Sequence, residues 1–168
     1  PSLPQNRVDF GSVIIEKEKL FRKAYARFDD TREFSEFCDR EKYWLDDYAL
    51  FRVLKDKNGG LPWYSWEPSL KLRFPAALEE VLNAERRSVR YHKFLQFMFH
   101  EQWMELKRYA NGKGIGIIGD IPYYTAYDSS DVWAWPELFE LDENGKPLRV
   151  AGVPPDYFSA TGQLWGNP

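Results

Sequence analysis

Cysteine is almost absent: Cys38 is the only one, so neither a disulfide nor a cysteine-rich metal site can be built within the chain. That usage fits a reducing compartment, and a cytoplasmic location is the expectation. Asn-x-Ser/Thr sites are absent as well. No apolar run is long enough to cross a bilayer, and Pro1-Ser2-Leu3-Pro4 has no basic stretch leading into an apolar one, so neither a membrane helix nor a secretory signal is read here. An excess of positive charge is also missing. Lys and Arg number 23 against 26 Asp and Glu, a net charge of -3, which offers no field to a phosphate backbone and sets nucleic acid aside as a partner. Histidine occurs only at His92 and His100, eight residues apart with no third ligand at metal spacing, so both read as core or surface residues. No metal and no cofactor is expected.

Aromatic residues are what the chain has in excess: 7 Trp, 10 Tyr and 12 Phe, or 17% of its 168 residues. Large rings build cores, because each buries much area. They also make flat apolar platforms for ligands with flat apolar faces, sugars among them, and only position can separate the two uses. The remaining composition, 43% hydrophobic and 29% charged, is that of a globular protein. The length suits one domain or a piece of one, domains commonly running to roughly 100 to 150 residues.

Residues 1–113 read as mainly helical and 114–168 as a strand followed by loops. Ser12 is placed to cap a helix whose apolar positions Val13, Leu20, Phe21, Ala24, Tyr25 and Phe28 keep helical spacing. Asp30 and Glu33 form a variant capping box before Phe34, Phe37 and Cys38. Asp46 and Asp47 suit the first turn of a helix carrying Tyr48, Phe51 and Leu54, which Asn58-Gly59-Gly60 ends. Leu61 to Pro68 reads as an aromatic loop, and Pro75 opens a further helical region. From Ser88, the positions Tyr91, Leu95, Phe99, Trp103, Leu106 and Ala110 trace one helix face, with Lys107 and Arg108 in the last turn and Gly112 and Gly114 as the stop. Ile115, Ile117 and Ile118 then form a β-branched run that predicts a strand buried on both faces. Phe139–Leu141 and Leu148–Val150 flank Asp142-Glu143-Asn144-Gly145, a hairpin pattern.

Gly114-Ile115-Gly116-Ile117-Ile118-Gly119 matches the dinucleotide fingerprint in letters but not in context, since a helix precedes it and Asp120-Ile121-Pro122 follows. Those glycines read instead as a helix stop and as thin points where strands pack closely. Asp142 to Gly145 resembles the start of a calcium loop but lacks the later ligand positions, so it reads as a turn. No Ser-His-Asp or Cys-His arrangement is suggested locally. Carboxylates and rings remain: Asp120, at the end of the expected strand, then Tyr123, Tyr124, Tyr127, Asp128, Asp131, Trp133, Trp135, Asp156, Tyr157, Phe158 and Trp165. A carboxylate at the C-terminal end of a buried parallel strand is where α/β enzymes place reacting groups, though a loop aspartate capping a turn fits equally. Pro154-Pro155-Asp156-Tyr157-Phe158 is stiffened by its prolines and can hold two rings and a carboxylate with little entropy left to lose on binding.

Gly119-Asp120-Ile121-Pro122, Asp128-Ser129-Ser130-Asp131-Val132-Trp133, Pro136-Glu137-Leu138-Phe139, and above all Gly152-Val153-Pro154-Pro155-Asp156-Tyr157-Phe158-Ser159 with Thr161-Gly162-Gln163-Leu164-Trp165-Gly166-Asn167-Pro168 resemble the amylomaltase (4-α-glucanotransferase) family. Arg7-Val8-Asp9-Phe10, Tyr43 to Phe51, Pro62-Trp63-Tyr64 and His92-Lys93-Phe94 extend the resemblance over essentially the whole chain. Trp135, where a smaller polar residue is expected, and Ile15, where proline is common, depart from the pattern.

The resemblance implies an α/β fold, a (β/α)8 TIM barrel with helical insertions, of which this segment is a predominantly helical part with few strands. It implies transfer of α-1,4-glucan segments between maltooligosaccharides with retention, by a carboxylate nucleophile and a carboxyl acid/base roughly 5 to 5.5 Å apart. Those carboxylates belong to motifs further along the family's chain, so no catalytic residue is expected here and the chain reads as truncated at both ends. By similarity Asp120 is a supporting active-site carboxylate, Asp156, Tyr157 and Phe158 form a loop over the acceptor side, and Gln163 and Trp165 are substrate contacts beside it. An α-glucan hydrolase of the same clan, a non-catalytic glucan-binding module and a merely structural fragment stay open as alternatives. Open strand edges and apolar helix faces would lead such a part-barrel to self-associate.

Overall fold

The computed structural model describes residues 6–168; the reading of Pro1–Pro4 lies outside them. Among the described residues seven α-helices precede one small antiparallel β-pair: α1 (Phe10–Tyr25), α2 (Arg32–Arg40), α3 (Lys42–Lys57), α4 (Pro68–Lys71), α5 (Pro75–Ala84), α6 (Arg86–Gly112), α7 (Ser130–Ala134), β1 (Gly152–Val153) and β2 (Gln163–Leu164). Single 3-10 turns occupy Trp63–Ser65 and Pro136–Leu138.

Helix ends follow local chemistry, in places through different residues than the spacing suggests. Asp9, not Ser12, caps α1: its carboxylate accepts from the Ser12 backbone N–H and from Ser12 Oγ at 2.8 Å, leaving Ser12 inside the first turn. Thr31 caps α2 by accepting from Phe34 N, and Asp30 pairs with Arg90 instead. α3 starts four residues before Asp46, so Asp46 and Asp47 lie beyond its first turn and bind Lys93 and Arg73. At both α3 and α6 a glycine in the left-handed region closes the helix as expected. Gly59 has φ 62° and Gly114 φ 75°, and Gly60 N and Ile115 N reach back to Lys55 O and Ala110 O, the paired bonds of a Schellman stop. Because α6 runs on to Gly112, Lys107 and Arg108 fall short of its last turn.

α3 is the hub, burying Leu45, Ala49, Leu50, Phe51, Val53 and Leu54 against partners on two sides. On one side lies a phenylalanine-rich core of Phe34, Phe37, Tyr91, Phe94 and Phe97 from α2 and α6 with Tyr25 of α1. On the other, Leu50, Phe51 and Leu54 meet Trp63, Trp66, Val132 and Trp133. Ten of the rings are thus spent on the core, including both tryptophans of the expected aromatic loop, while fourteen stay exposed. His92 is a core histidine: burial holds its pKa below the ordinary value, against the pull of Asp56 at 3.5 Å.

Periodicity overstates burial at two helices. Leu20 and Phe21 of α1 are exposed, as are Phe99, Trp103 and Leu106 on the expected inner face of α6, so burial on α6 ends near Phe97. The predicted strand is corrected more sharply. Residues 115–122 form no strand, and Ile118 is 98% exposed. A β-branched run supplies half of a ladder; no neighbouring segment among the described residues offers it a partner. A Cβ at Gly116 or Gly119 would meet nothing within 4 Å, so no close packing explains those glycines.

The segment after α6 is tied to the helices by Asp128. Its carboxylate accepts from Lys55 Nζ at 2.6 Å and from Trp63 N at 3.1 Å, while Trp63 Nε1 donates to Tyr127 O at 2.7 Å. Tyr127 stacks on Tyr64, ring centroids 4.3 Å apart, and donates its hydroxyl to Gly145 O. Burial pushes that phenol up to about 12. The Asp142–Gly145 turn forms as expected: Asp142 Oδ1 accepts from Asn144 N and Lys146 N, and Leu141 bridges Pro147, a reduced version of the predicted hairpin.

Candidate functional site

β1 and β2 pair with Gly152 opposite Leu164 and Val153 opposite Gln163, and the nine residues between them make a loop that bonds chiefly to itself. Asp156 Oδ1 accepts from Phe158 N and Ser159 N, both at 2.9 Å, and Asp156 N donates to Ser159 O. Ser159 Oγ donates to Gly162 O at 2.7 Å. With Pro154 and Pro155 fixing φ on the approach, the tip is set by its own hydrogen bonds. It has little else to rest on: Tyr157 is 96% and Phe158 86% exposed, their rings edge to face at 5.5 Å. Asp156 therefore shapes the loop with one oxygen, and the second remains as an acceptor.

The hairpin closes only because Gly162 adopts φ 73° and carries no side chain; a Cβ there would lie 2.5 Å from Val153 O. Gly162→Ala is expected to cost about 1 to 3 kcal/mol locally and to speed exchange of the Trp165 amide, which donates to Ala151 O, roughly tenfold or more. Unchanged exchange in the variant would contradict that account.

At the base of the loop stand the other expected residues. Trp165 Nε1 donates to Gln163 Oε1 at 3.0 Å, orienting both, and the Trp165 ring meets Tyr124 at 5.3 Å, with Tyr123 a further 5.3 Å on. Asn167 Nδ2 donates to Thr125 O and Ala151 N to Asn167 O, fastening the hairpin to the segment that carries Asp120. The structure thus joins Gln163 and Trp165 with Tyr123 and Tyr124, while Tyr157 and Phe158 occupy the loop of the same hairpin. Asp120 is exposed and accepts from Ile121 N at 2.8 Å; the strand whose end it was to mark is not formed, and among the described residues no hydrogen bond or ion pair joins it to the loop. Asn167 was missed as a fastener, although an amide between Gly166 and a proline is a common turn signal. Three residues of the expected functional set are structural: Tyr127 and Asp128 in the tie, Trp133 in the core.

No group of three or more His, Cys, Asp or Glu among the described residues could hold a metal ion, and no helix among them is long and apolar enough to cross a membrane. What the arrangement offers is two free rings on a stiff loop, a Trp–Tyr pair at its base, an unspent Asp156 carboxylate oxygen and the Gln163 amide donor.

The model of the family described as 4-alpha-glucanotransferase matches residues 2–168. This chain belongs to that family. A 4-alpha-glucanotransferase of Thermus thermophilus is 48% identical over the whole chain, and one of Synechocystis 46%; the chain spans 35% of the length of each. An amylomaltase from Streptococcus agalactiae, solved in complex with acarbose, superposes with a TM-score of 0.91 at 41% identity, over 96% of this chain and 33% of that one. The mostly helical architecture with two short strands is therefore that of one third of a known amylomaltase structure, and the resemblance carried by the loop motifs is a family relationship.

Proposed function

We propose that this chain provides the acceptor-side wall of a 4-α-glucanotransferase that moves α-1,4-glucan segments between maltooligosaccharides with retention. The observation that carries this reading is the loop tip: two almost fully exposed rings, Tyr157 and Phe158, held by the Asp156 turn. Exposing so much apolar surface on a stiff support is costly unless a ligand covers it. Sugar faces suit such rings, and sugar hydroxyls suit Asp156 Oδ2 and the Gln163–Trp165 pair below. Asp120 acts as a supporting carboxylate. A loop that covers the acceptor side also limits water at a glycosyl-enzyme, favouring transfer over hydrolysis.

The exposed isoleucines of 115–118 and the bare outer half of α6 support a second part of the proposal. Residues 1–113 belong to a helical subdomain and 114–168 to substrate-binding loops of a (β/α)8 barrel, with further barrel elements covering these faces and supplying the nucleophile and acid/base. The segment alone self-associates through them, and the enzyme works in the cytoplasm. Incubating the full-length gene product with maltotriose tests the activity: glucose plus maltodextrins longer than the substrate is the expected outcome. Glucose and maltose alone would establish hydrolysis and overturn transfer.

A further inference from the structure

Around the start of α6 three arginines face one opening. A cleft of about 370 Å³ is lined by Tyr25, Ala26, Phe28, Arg86, Arg87 and Arg90, with no carboxylate in its walls. In a chain of net charge -3 that is a local reversal of sign. The nearby acids are engaged elsewhere. Glu85 lines a neighbouring cleft, where it accepts from Lys57 Nζ at 2.7 Å and from Ser88 Oγ at 3.0 Å. Asp30, in the wall of a third cleft, accepts from Nε and Nη2 of Arg90 and leaves Nη1 over. Arg86 gives Nη2 to the neutral Asn83 Oδ1 at 2.7 Å and keeps its full charge. Arg87 is fixed through its carbonyl, which accepts from Tyr25 OH at 3.0 Å, while its guanidinium makes no hydrogen bond or ion pair among the described residues.

These cations stand where a helix favours anions. α6 begins at Arg86, its first turn holds no acidic residue, and Glu85 makes no side-chain capping bond. Positive charge at that end opposes the macrodipole of the helix, and an anion held between the arginines reverses the conflict. Arg90 is set in advance, its Cζ 5.3 Å from the Tyr25 ring centroid and 5.5 Å from that of Phe28. Guanidinium forks bind carboxylates and phosphates alike, but donors from three of them around one opening match the three oxygens of a phosphate monoester better than the two of a carboxylate. The volume falls near the lower end of the roughly 300 to 1,000 Å³ usual for small-molecule sites, room for a phosphate and a small organic group against Phe28. A polyanion is disfavoured by the negative charge of the chain as a whole.

We infer that this cleft is a binding site for the phosphate monoester of a small metabolite, at the join of α1 and α6. It goes beyond the glucan reading and does not depend on it. A ligand there ties Arg87 and Arg90 to the segment that follows α1, so occupancy stabilises the packing of α1 on the core.

Isothermal titration of the full-length gene product at low ionic strength tests the site with three probes: inorganic phosphate, glucose 6-phosphate and acetate. Inorganic phosphate is expected to bind with a dissociation constant on the order of 1 mM, glucose 6-phosphate at least as tightly, and acetate about tenfold more weakly or not at all. Arg87→Ala should weaken phosphate about tenfold, as loss of one charged hydrogen bond does, and Arg87→Lys should recover part of it. Because Arg87 is exposed, the melting temperature of Arg87→Ala without phosphate should match the parent, so the loss is one of binding and not of folding. No binding of phosphate by the parent up to about 10 mM overturns the site. Unchanged phosphate affinity in Arg87→Ala puts the ion elsewhere and overturns it too, and acetate held as tightly as phosphate overturns the ligand class.

Discussion

Replacing Tyr157 and Phe158 together by alanine in the full-length protein is expected to lower kcat/KM for maltotriose roughly 10- to 100-fold while the melting temperature stays put. Each ring is worth about 0.5 to 1.5 kcal/mol in a stacked contact, and each 1.4 kcal/mol is a factor of ten. The stability half of the expectation follows from exposure. Side chains 96% and 86% exposed contribute almost nothing to packing, and substitutions of that kind stay within about 0.5 kcal/mol. The loop backbone should survive, since its bonds run through Asp156, Ser159 and Gly162 and not through the rings. Steady-state kinetics beside a thermal melt make the check. An unchanged kcat/KM would remove the observation on which the proposed function rests.

Trp133→Ala is expected to have the opposite signature, a loss of about 3 to 5 kcal/mol in stability, the usual cost of deleting a buried tryptophan. Trp133 is 1% exposed and lies against Phe51 and Trp66, each with ring centroids 5.8 Å away. Its Nε1 donates to Leu70 O at 3.0 Å, and the Arg73 guanidinium sits 4.2 Å above the ring. Truncation would leave a cavity, a Leu70 carbonyl reduced to its 3.3 Å bond from Arg73 N, and an arginine stripped of its cation–π partner. That arginine can ill spare it: Arg73 Nη1 is buried without a hydrogen-bond partner, and its backbone holds φ 58°, uncommon for a residue with a side chain. Urea unfolding compared with Trp135→Ala, two residues away on the surface, gives the control. A difference between the two below about 1 kcal/mol would contradict this packing account.

The same pair shows what the sequence could and could not reveal. Trp133 and Trp135 are equally aromatic and neighbours in one motif, yet one holds the core and the other a surface cleft; which way each points depends on where a five-residue helix lands against α3. Turn chemistry was legible, because Gly59, Gly114 and the Asp142 turn meet a local backbone demand that few residues satisfy. Caps were legible only to within a few residues: Asp9 and Ser12 are both competent, and the choice falls to whichever side chain reaches the first free N–H groups. The stiff loop was readable from its prolines and motif, its self-contained bonding was not. Burial was least legible. A helical stripe from Tyr91 to Ala110 marks one face correctly but says nothing about what covers it, and the isoleucines of 115–118 cannot make a strand without a partner backbone.

That uncovered stripe has a consequence of its own. α6 is 27 residues long, about 40 Å, and is gripped by the core only along its first half. Beyond Phe97 it carries Phe99, Trp103, Leu106 and Tyr109 into solvent. A rod fixed at one end and greasy at the other behaves as an amphiphile. Its free half would be expected to exchange amide hydrogens quickly while the rooted half stays protected, and to seek detergent, a column matrix or another copy of itself before any part of the core gives way. In such a molecule solubility fails before folding does.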